Sequence, residues 1–235
     1  MEDYGYIKKN YDELRGELDI LAAARGSTPV TLVSVTKSGT DEELIALVRA
    51  GAADIGENRP GELKRRRELL ENHGLTPTLH EIGTLQRNKV KYIIDKVALI
   101  HSLDSERLAE EINRQAGKIG RRVPVLIEIN SAREENKGGI LPECAEDFFL
   151  KVREYKNLII SGLMTMGPPL DDSENMRPYF RLTKEIFDKI QSTYGFEGKP
   201  ILSMGMSDSY AVAIEEGATL VRVGRKLFDK RKGER

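Results

Sequence analysis

The sequence predicts an α/β fold: a (β/α)8 TIM barrel, a single domain with an extra N-terminal helix. Three observations carry that expectation. Short β-branched and apolar runs alternate with longer stretches of helical periodicity along most of the chain. Such alternation implies parallel strands joined by right-handed crossovers. About eight of these units in 235 residues is the arithmetic of barrel closure. An open doubly wound sheet is the competing architecture, yet no GxGxxG follows any strand. The connections after the strands are too short for a second domain, so residues 1–235 are expected to fold as one unit.

A first helix, from about Tyr6 to Arg25, precedes the strands. The strands are then VTLVSVT (Val30–Thr36), ADIGE (Ala53–Glu57), TLHEIG (Thr78–Gly83) and ALIHSL (Ala98–Leu103). VPVLIEIN (Val123–Asn130), LIISGLMT (Leu158–Thr165), PILSMG (Pro200–Gly205) and TLVRVG (Thr219–Gly224) complete the set. Between them, TDEELIALVRAGA opens on Thr40 or Asp41 as N-cap, and DSERLAEEINRQAGK on Asp104 or Ser105. The longest connection, Gly167 to Pro178, reads as a surface loop, with a mobile lid as the alternative.

Composition excludes several functions. Charged residues make up 32 % of the chain but the net charge is -1, which gives no global field to draw nucleic acid or a membrane. The basic runs KRRRE (Lys64–Glu68) and RKLFDKRKGER carry no interleaved aromatic platform, so a solvated helix face and a frayed terminus are expected there. The single Cys144 excludes an internal disulfide and fits a reducing compartment. His73, His80 and His101 are scattered without metal-ligand spacing. His80 is expected beside a ligand or in the core, and His101 in the core. No apolar run reaches the ~20 residues of a membrane span, and the N-terminus lacks an apolar signal core. The expected protein is cytoplasmic. The charged outer helices show no apolar interface stripe, so a monomer is expected.

Barrels of this kind place their chemistry at the C-terminal ends of the strands. The first strand ends on Lys37, the second on Glu57 and Asn58, and the fifth on Asn130, with Glu128 alternating inward. An inward Glu128 needs a partner, and Lys37 or Arg222 would serve. The seventh and eighth strands run into SMGMSDS and RVGRK, two glycine-containing turns rich in N–H donors. Turns at these places suit a phosphate. Ser207 would donate its hydroxyl while Asp208 or Ser209 caps the next helix; Gly224 admits an oxyanion close to the chain and Arg225 neutralises it. Met164, Met166, Met204 and Met206 stand at strand ends, placed to pack around a ring or to fill the top layer of the barrel. A lysine facing the same mouth suggests a Schiff base with a carbonyl ligand whose phosphate is anchored across the opening. The amine must then be held unprotonated, by partial burial and by nearby Arg222. A sugar phosphate in an aldolase-like reaction and pyridoxal 5′-phosphate both fit.

From about Tyr11 to Phe228 the motifs LVSVTK, IGEN, HEIGTLQRNK, LIEIN with NKGG, GLMTM, LSMGMSDS and VRVGRKLF stand in order. In them the chain resembles the pyridoxal phosphate homeostasis protein family, an alanine racemase N-terminal-like group. The resemblance implies a barrel that binds pyridoxal 5′-phosphate as a Schiff base on Lys37. It implies Asn58 near the ring and Arg222 facing the pyridine nitrogen. Ser207, the backbone around Met206, Gly224 and Arg225 would hold the phosphate, and Ser203 would support that loop. A guanidinium at the ring nitrogen leaves it unprotonated and makes the cofactor a weaker electron sink. The chain departs from the family at Leu79, His80 and Glu81, at Pro60 and Gly61, and at Arg225, where a small hydroxyl residue is common.

A binding and delivery protein without robust catalysis is therefore expected, with cofactor-dependent apoenzymes as partners. The alternatives are an amino-acid racemase using Lys37 as base and a class I aldolase-like enzyme. A racemase needs a second group on the opposite face of the α-carbon, and no motif supplies one. The racemase relatives implied by the resemblance also carry a second domain, for which no residues are expected after the last barrel helix. A lysine at the end of the first strand would be unusual for an aldolase.

Overall fold

The computed structural model describes residues 4–26, 29–168, 170 and 172–230. Eight parallel strands close into one barrel in sequence order, β8 pairing with β1. They are β1 (Thr31–Val35), β2 (Asp54–Glu57), β3 (Thr78–Glu81), β4 (Leu99–Leu103), β5 (Val123–Glu128), β6 (Leu158–Met164), β7 (Ile201–Ser203) and β8 (Leu220–Val223). Every expected strand forms, trimmed by a residue or two where its end leaves the ladder for a loop.

Alternation decides what the strands turn inward, apart from the register shifts in the β4–β5 and β5–β6 pairings that reset it locally. Val33, Leu99, Leu126, Met164 and Leu220 pack together as an apolar plug inside the barrel, with Ile201 against it. Two residues further along those strands stand His101, Glu128, Arg222 and Ser203, so a polar layer overlies an apolar one. The opposite faces, among them Leu32, Ile55, Ile100, Val125 and Leu202, pack against the helices in the main core. Each such side chain contributes roughly 1.5–3 kcal/mol by leaving water.

The outer layer holds α1 (Gly5–Ala24), α2 (Asp41–Arg49), α3 (Pro60–Asn72), α4 (Glu106–Lys118), α5 (Ala145–Val152), α6 (Arg177–Thr193) and α7 (Tyr210–Glu215). Asn10 straps α1 to the last turn, its amide donating to the carbonyls of Leu227 and Asp229 at 3.2 and 3.1 Å. Thr40 is the cap of α2, in a reciprocal capping box with Glu43. Ser105 takes the N-cap position of α4 without a capping bond; its hydroxyl donates to Asp104 at 3.0 Å instead.

The alternation breaks after β3 and after β8, where 3-10 turns (Arg87–Tyr92 and Arg225–Leu227) replace α-helices. In and around the first of these turns, Val90 and the flanking Leu85, Ile93 and Ile94 are all buried, so the connection is held against the wall without a full amphipathic helix. Within the Gly167 to Pro178 connection, Ser173–Met176 form a 3-10 turn and Met176 is buried, while residues 169 and 171 lie outside the described residues, as do the first three, residues 27 and 28, and the last five of the basic tail. Among the described residues no helix is long and apolar enough to cross a membrane, and no cluster of three potential metal ligands occurs.

Candidate functional site

At the C-terminal ends of the strands lies a cavity of about 760 Å³. Lys37, Asn58, Met206, Ser207, Arg222, Gly224 and Arg225 line it; Ser203 is fully buried beneath. Lys37 stands in a turn two residues past β1 and is exposed, not partly buried as expected. Its amine has no hydrogen-bond or ion-pair partner among the described residues. The turns after β7 and β8 are its neighbours rather than groups across the opening, because closure sets β8 beside β1.

Both turns depend on a missing side chain. Gly205 has φ +92°, and a Cβ there would stand 2.9 Å from the Tyr210 Cα. Gly224 has ordinary φ, but a Cβ would lie 2.8 Å from the Val35 carbonyl oxygen. Ser207 accepts the Gly224 N–H at 3.4 Å, linking the turns. Ser209 does not cap α7: its hydroxyl accepts the Met206 N–H at 3.2 Å and closes the turn on itself. Among the described residues the N–H groups of Ser207, Asp208 and Arg225 have no acceptor within the protein. Arg225 is exposed and ion-paired to Asp208, so at the surface the two turns carry a neutral pair rather than a lone cation.

The Lys37 turn is anchored from below by a residue expected in water. Arg66 is buried, and its guanidinium donates to the carbonyls of Thr36 at 2.6 Å and Gly39 at 2.9 Å, on either side of Lys37. Glu57 lies 3.0 Å from Arg66 and accepts from the Thr36 hydroxyl. Burial pushes the Glu57 carboxyl up, opposed first by Thr36 and then by Arg66. The run KRRRE hid this role, since nothing in five consecutive charges marks the one on the inner face; the helical spacing from Leu63 and Leu70 is the signal that could have found it.

Next to Glu57, Glu81 is fully buried, with Oε1 accepting the Gly83 N–H at 3.1 Å and Oε2 unpartnered. Burial pushes its carboxyl up to about 8; the Gly83 N–H opposes this and the Glu57 charge adds to it. The folded chain thus holds the proton more tightly than the unfolded chain. That stabilisation is complete below the ordinary carboxyl value of 4.5 and is lost as pH rises through about 8. Glu81→Gln, uncharged throughout, is expected to raise Tm over the native protein at about pH 9 but not at about pH 5, as read by thermal melts.

Arg222 forms the cavity floor. It is buried, donating to the Ser203 hydroxyl at 2.6 Å and the Thr165 carbonyl at 3.0 Å. Burial lowers it to about 10, opposed by the charge of Glu128, so it stays a cation at neutral pH. Ser203 therefore supports Arg222 rather than the loop after β7. Glu128 turns into the cavity as expected, without a hydrogen bond or ion pair from its side chain among the described residues. Burial pushes it up to about 7, Asp104 adds to the rise and Arg222 opposes it. His80 does not line the cavity but lies in the barrel interior, bonded to Asp54 and His101.

Comparison with known proteins agrees with this architecture. The model of the alanine racemase N-terminal domain family matches residues 9–231. A pyridoxal phosphate homeostasis protein of Aquifex aeolicus is 44% identical over 210 residues, 89% of this chain and 91% of that protein. A protein of Bifidobacterium adolescentis described as unknown superposes with a TM-score of 0.90 at 31% identity, covering 97% of both chains. PipY of Synechococcus elongatus, in a structure with PLP bound, superposes with a TM-score of 0.77 at 28% identity, over 90% of this chain and 99% of that one. On its own motifs, its barrel and these likenesses, the chain belongs to the pyridoxal phosphate homeostasis protein family, built on the barrel of the alanine racemase N-terminal domain.

Proposed function

We propose that this is a cytoplasmic, monomeric protein of intracellular cofactor homeostasis. It binds pyridoxal 5′-phosphate as a Schiff base on Lys37 and supplies it to apoenzymes without robust catalysis of its own. The observation that carries the reading is the composition of one cavity: an unpartnered amine, a buried guanidinium and two adjacent donor-rich turns. The names of the Aquifex relative and of the PLP-bound PipY structure support it.

The residues fit the group. The unengaged N–H groups of Ser207, Asp208 and Arg225, with the Ser207 hydroxyl, suit a phosphate. Asn58 lines the cavity where it would meet the ring. When bound, the cofactor supplies an aldehyde that condenses with an amine and releases water. Lys37 offers the amine, and its exposure lets the link be exchanged with solvent or with a partner. Arg222 has donors only, so a pyridine nitrogen facing it accepts a hydrogen bond and stays unprotonated. That weakens electron withdrawal from an amino-acid substrate and favours holding over turnover.

Glu128 favours a second reading, residual proton transfer to an amino acid, since it shares the cavity with Lys37 and titrates near neutrality. Proton exchange at the α-carbon of amino acids in D2O separates the two. The carrier reading expects exchange no faster than with Lys37→Ala, while an apo-transaminase regains activity from the loaded protein. Exchange at an enzymatic rate, on the order of 1 per second or faster, abolished by Glu128→Gln, would establish the enzyme instead.

A further inference from the structure

Beneath the cavity, four hydrogen bonds cross the barrel interior. Arg222 Nη1 meets Ser203 Oγ at 2.6 Å, Ser203 Oγ meets His101 Nδ1 at 3.1 Å, His101 Nε2 meets His80 Nδ1 at 3.0 Å, and His80 Nε2 meets Asp54 Oδ1 at 3.0 Å. Every member but Asp54 is buried, and Asp54 opens β2, at the barrel end opposite the cavity, with its side chain 27% exposed.

The order of donors follows from the two ends. A guanidinium only donates, so Ser203 Oγ accepts from Arg222 and has one hydrogen of its own to place. Its other polar neighbour in the chain is His101 Nδ1, which then accepts. Burial, followed by the fields of His80 and Arg222, drives His101 well below its ordinary value, so the ring is neutral and carries its one hydrogen on Nε2. That hydrogen goes to His80 Nδ1, leaving His80 Nε2–H to donate to a carboxylate that only accepts. The opposite arrangement, with His101 Nδ1–H donating to Ser203, requires an imidazolium at His80 to face Asp54. It also leaves the Ser203 hydrogen without an acceptor.

We propose that Asp54, His80, His101 and Ser203 are positioning residues for Arg222, acting as a one-way hydrogen-bond relay from guanidinium to carboxylate. The relay aligns four bond dipoles between a buried cation and a partly exposed anion, and with the Thr165 carbonyl it fixes the plane of the guanidinium. The remaining guanidinium N–H groups are thereby held toward the cavity as donors. The consequence for the ring nitrogen rests on the cofactor reading above; the relay itself does not.

Nitrogen NMR of the side chains in the protein without cofactor tests the relay directly, with only His73, His80 and His101 to assign. The expected spectrum shows both His80 and His101 protonated on Nε2 alone at neutral pH, and slowly rotating, resolved Arg222 Nη–H signals. Asp54→Asn and His80→Gln, neither of which lines the cavity, are expected to broaden those Arg222 signals. They are also expected to weaken cofactor binding about threefold to tenfold and to shift the visible band of the bound cofactor. His101 carrying its hydrogen on Nδ1, or Arg222 signals unchanged in both folded variants, overturns the proposal. A protein that takes no cofactor on Lys37 would sink the functional reading and leave the NMR result to decide the relay.

Discussion

Arg66→Ala is expected to lower Tm by roughly 10 °C and to slow or abolish attachment of pyridoxal phosphate to Lys37, although Arg66 does not line the cavity. The cause is twofold. Glu57 would be left buried beside Glu81 without its cation, and breaking a buried pair by removing one member costs about 3–5 kcal/mol. For a chain of this size that converts to roughly 10 °C. The carbonyls of Thr36 and Gly39 would also lose the guanidinium that fixes the backbone on both sides of Lys37. Arg66→Lys restores the charge but has one ammonium to satisfy two carbonyls and a carboxylate, so it is expected to fall between the two. Thermal melts and the rate of growth of the Schiff-base absorbance check both halves. A variant that melts like the native protein would show that Glu57 finds another partner or takes up a proton.

The second large effect lies in the turns after β7 and β8. Gly224→Ala is expected to weaken cofactor affinity at least about tenfold, or about 1.4 kcal/mol. Backbone conformation is not the reason, since φ there is -125°. The added Cβ would stand 2.8 Å from the Val35 carbonyl oxygen, and since that neighbour is backbone, the turn must move away from β1 and carry its donors with it. By contrast, replacing Asp208 and Arg225 together by Asn and Ala is expected to change affinity by no more than about threefold. These two exposed side chains neutralise each other, and surface pairs contribute little. Titration by fluorescence quenching of the apo-protein separates the cases. If the double variant lost more affinity than Gly224→Ala, the phosphate would depend on the arginine rather than on the backbone.

The barrel was legible in the sequence because each strand announces itself locally. Short β-branched and apolar runs such as TLVSV and LIISGLM, each followed by a turn and a helical stretch, mark the strands. The register shift beside β6 that resets which of its side chains face inward does not show in the run itself. The lining of the cavity was legible for the same reason: strand ends meet at one mouth, so Lys37, Asn58, Ser207 and Gly224 had to converge. Packing between distant segments was not legible. Arg66 reads as one more charge in a basic run until α3 is laid against β1 and β2. His80 and His101 read as unrelated core residues until β3 and β4 pair. Ser203 stands one strand position from the phosphate turn in sequence, yet its hydroxyl belongs to Arg222. The position of the donor turns beside Lys37 follows from closure, which joins the two ends of the chain's strand order and leaves no local trace.

Lys37 is the residue on which the account stands. The protein is mixed with pyridoxal phosphate, reduced with borohydride and digested, and the modified lysine is located by mass spectrometry, with Lys37→Ala treated in parallel. The account predicts a pyridoxyl group confined to Lys37 and no visible absorption band in the variant. Labelling spread over surface lysines and unchanged by the substitution would contradict it.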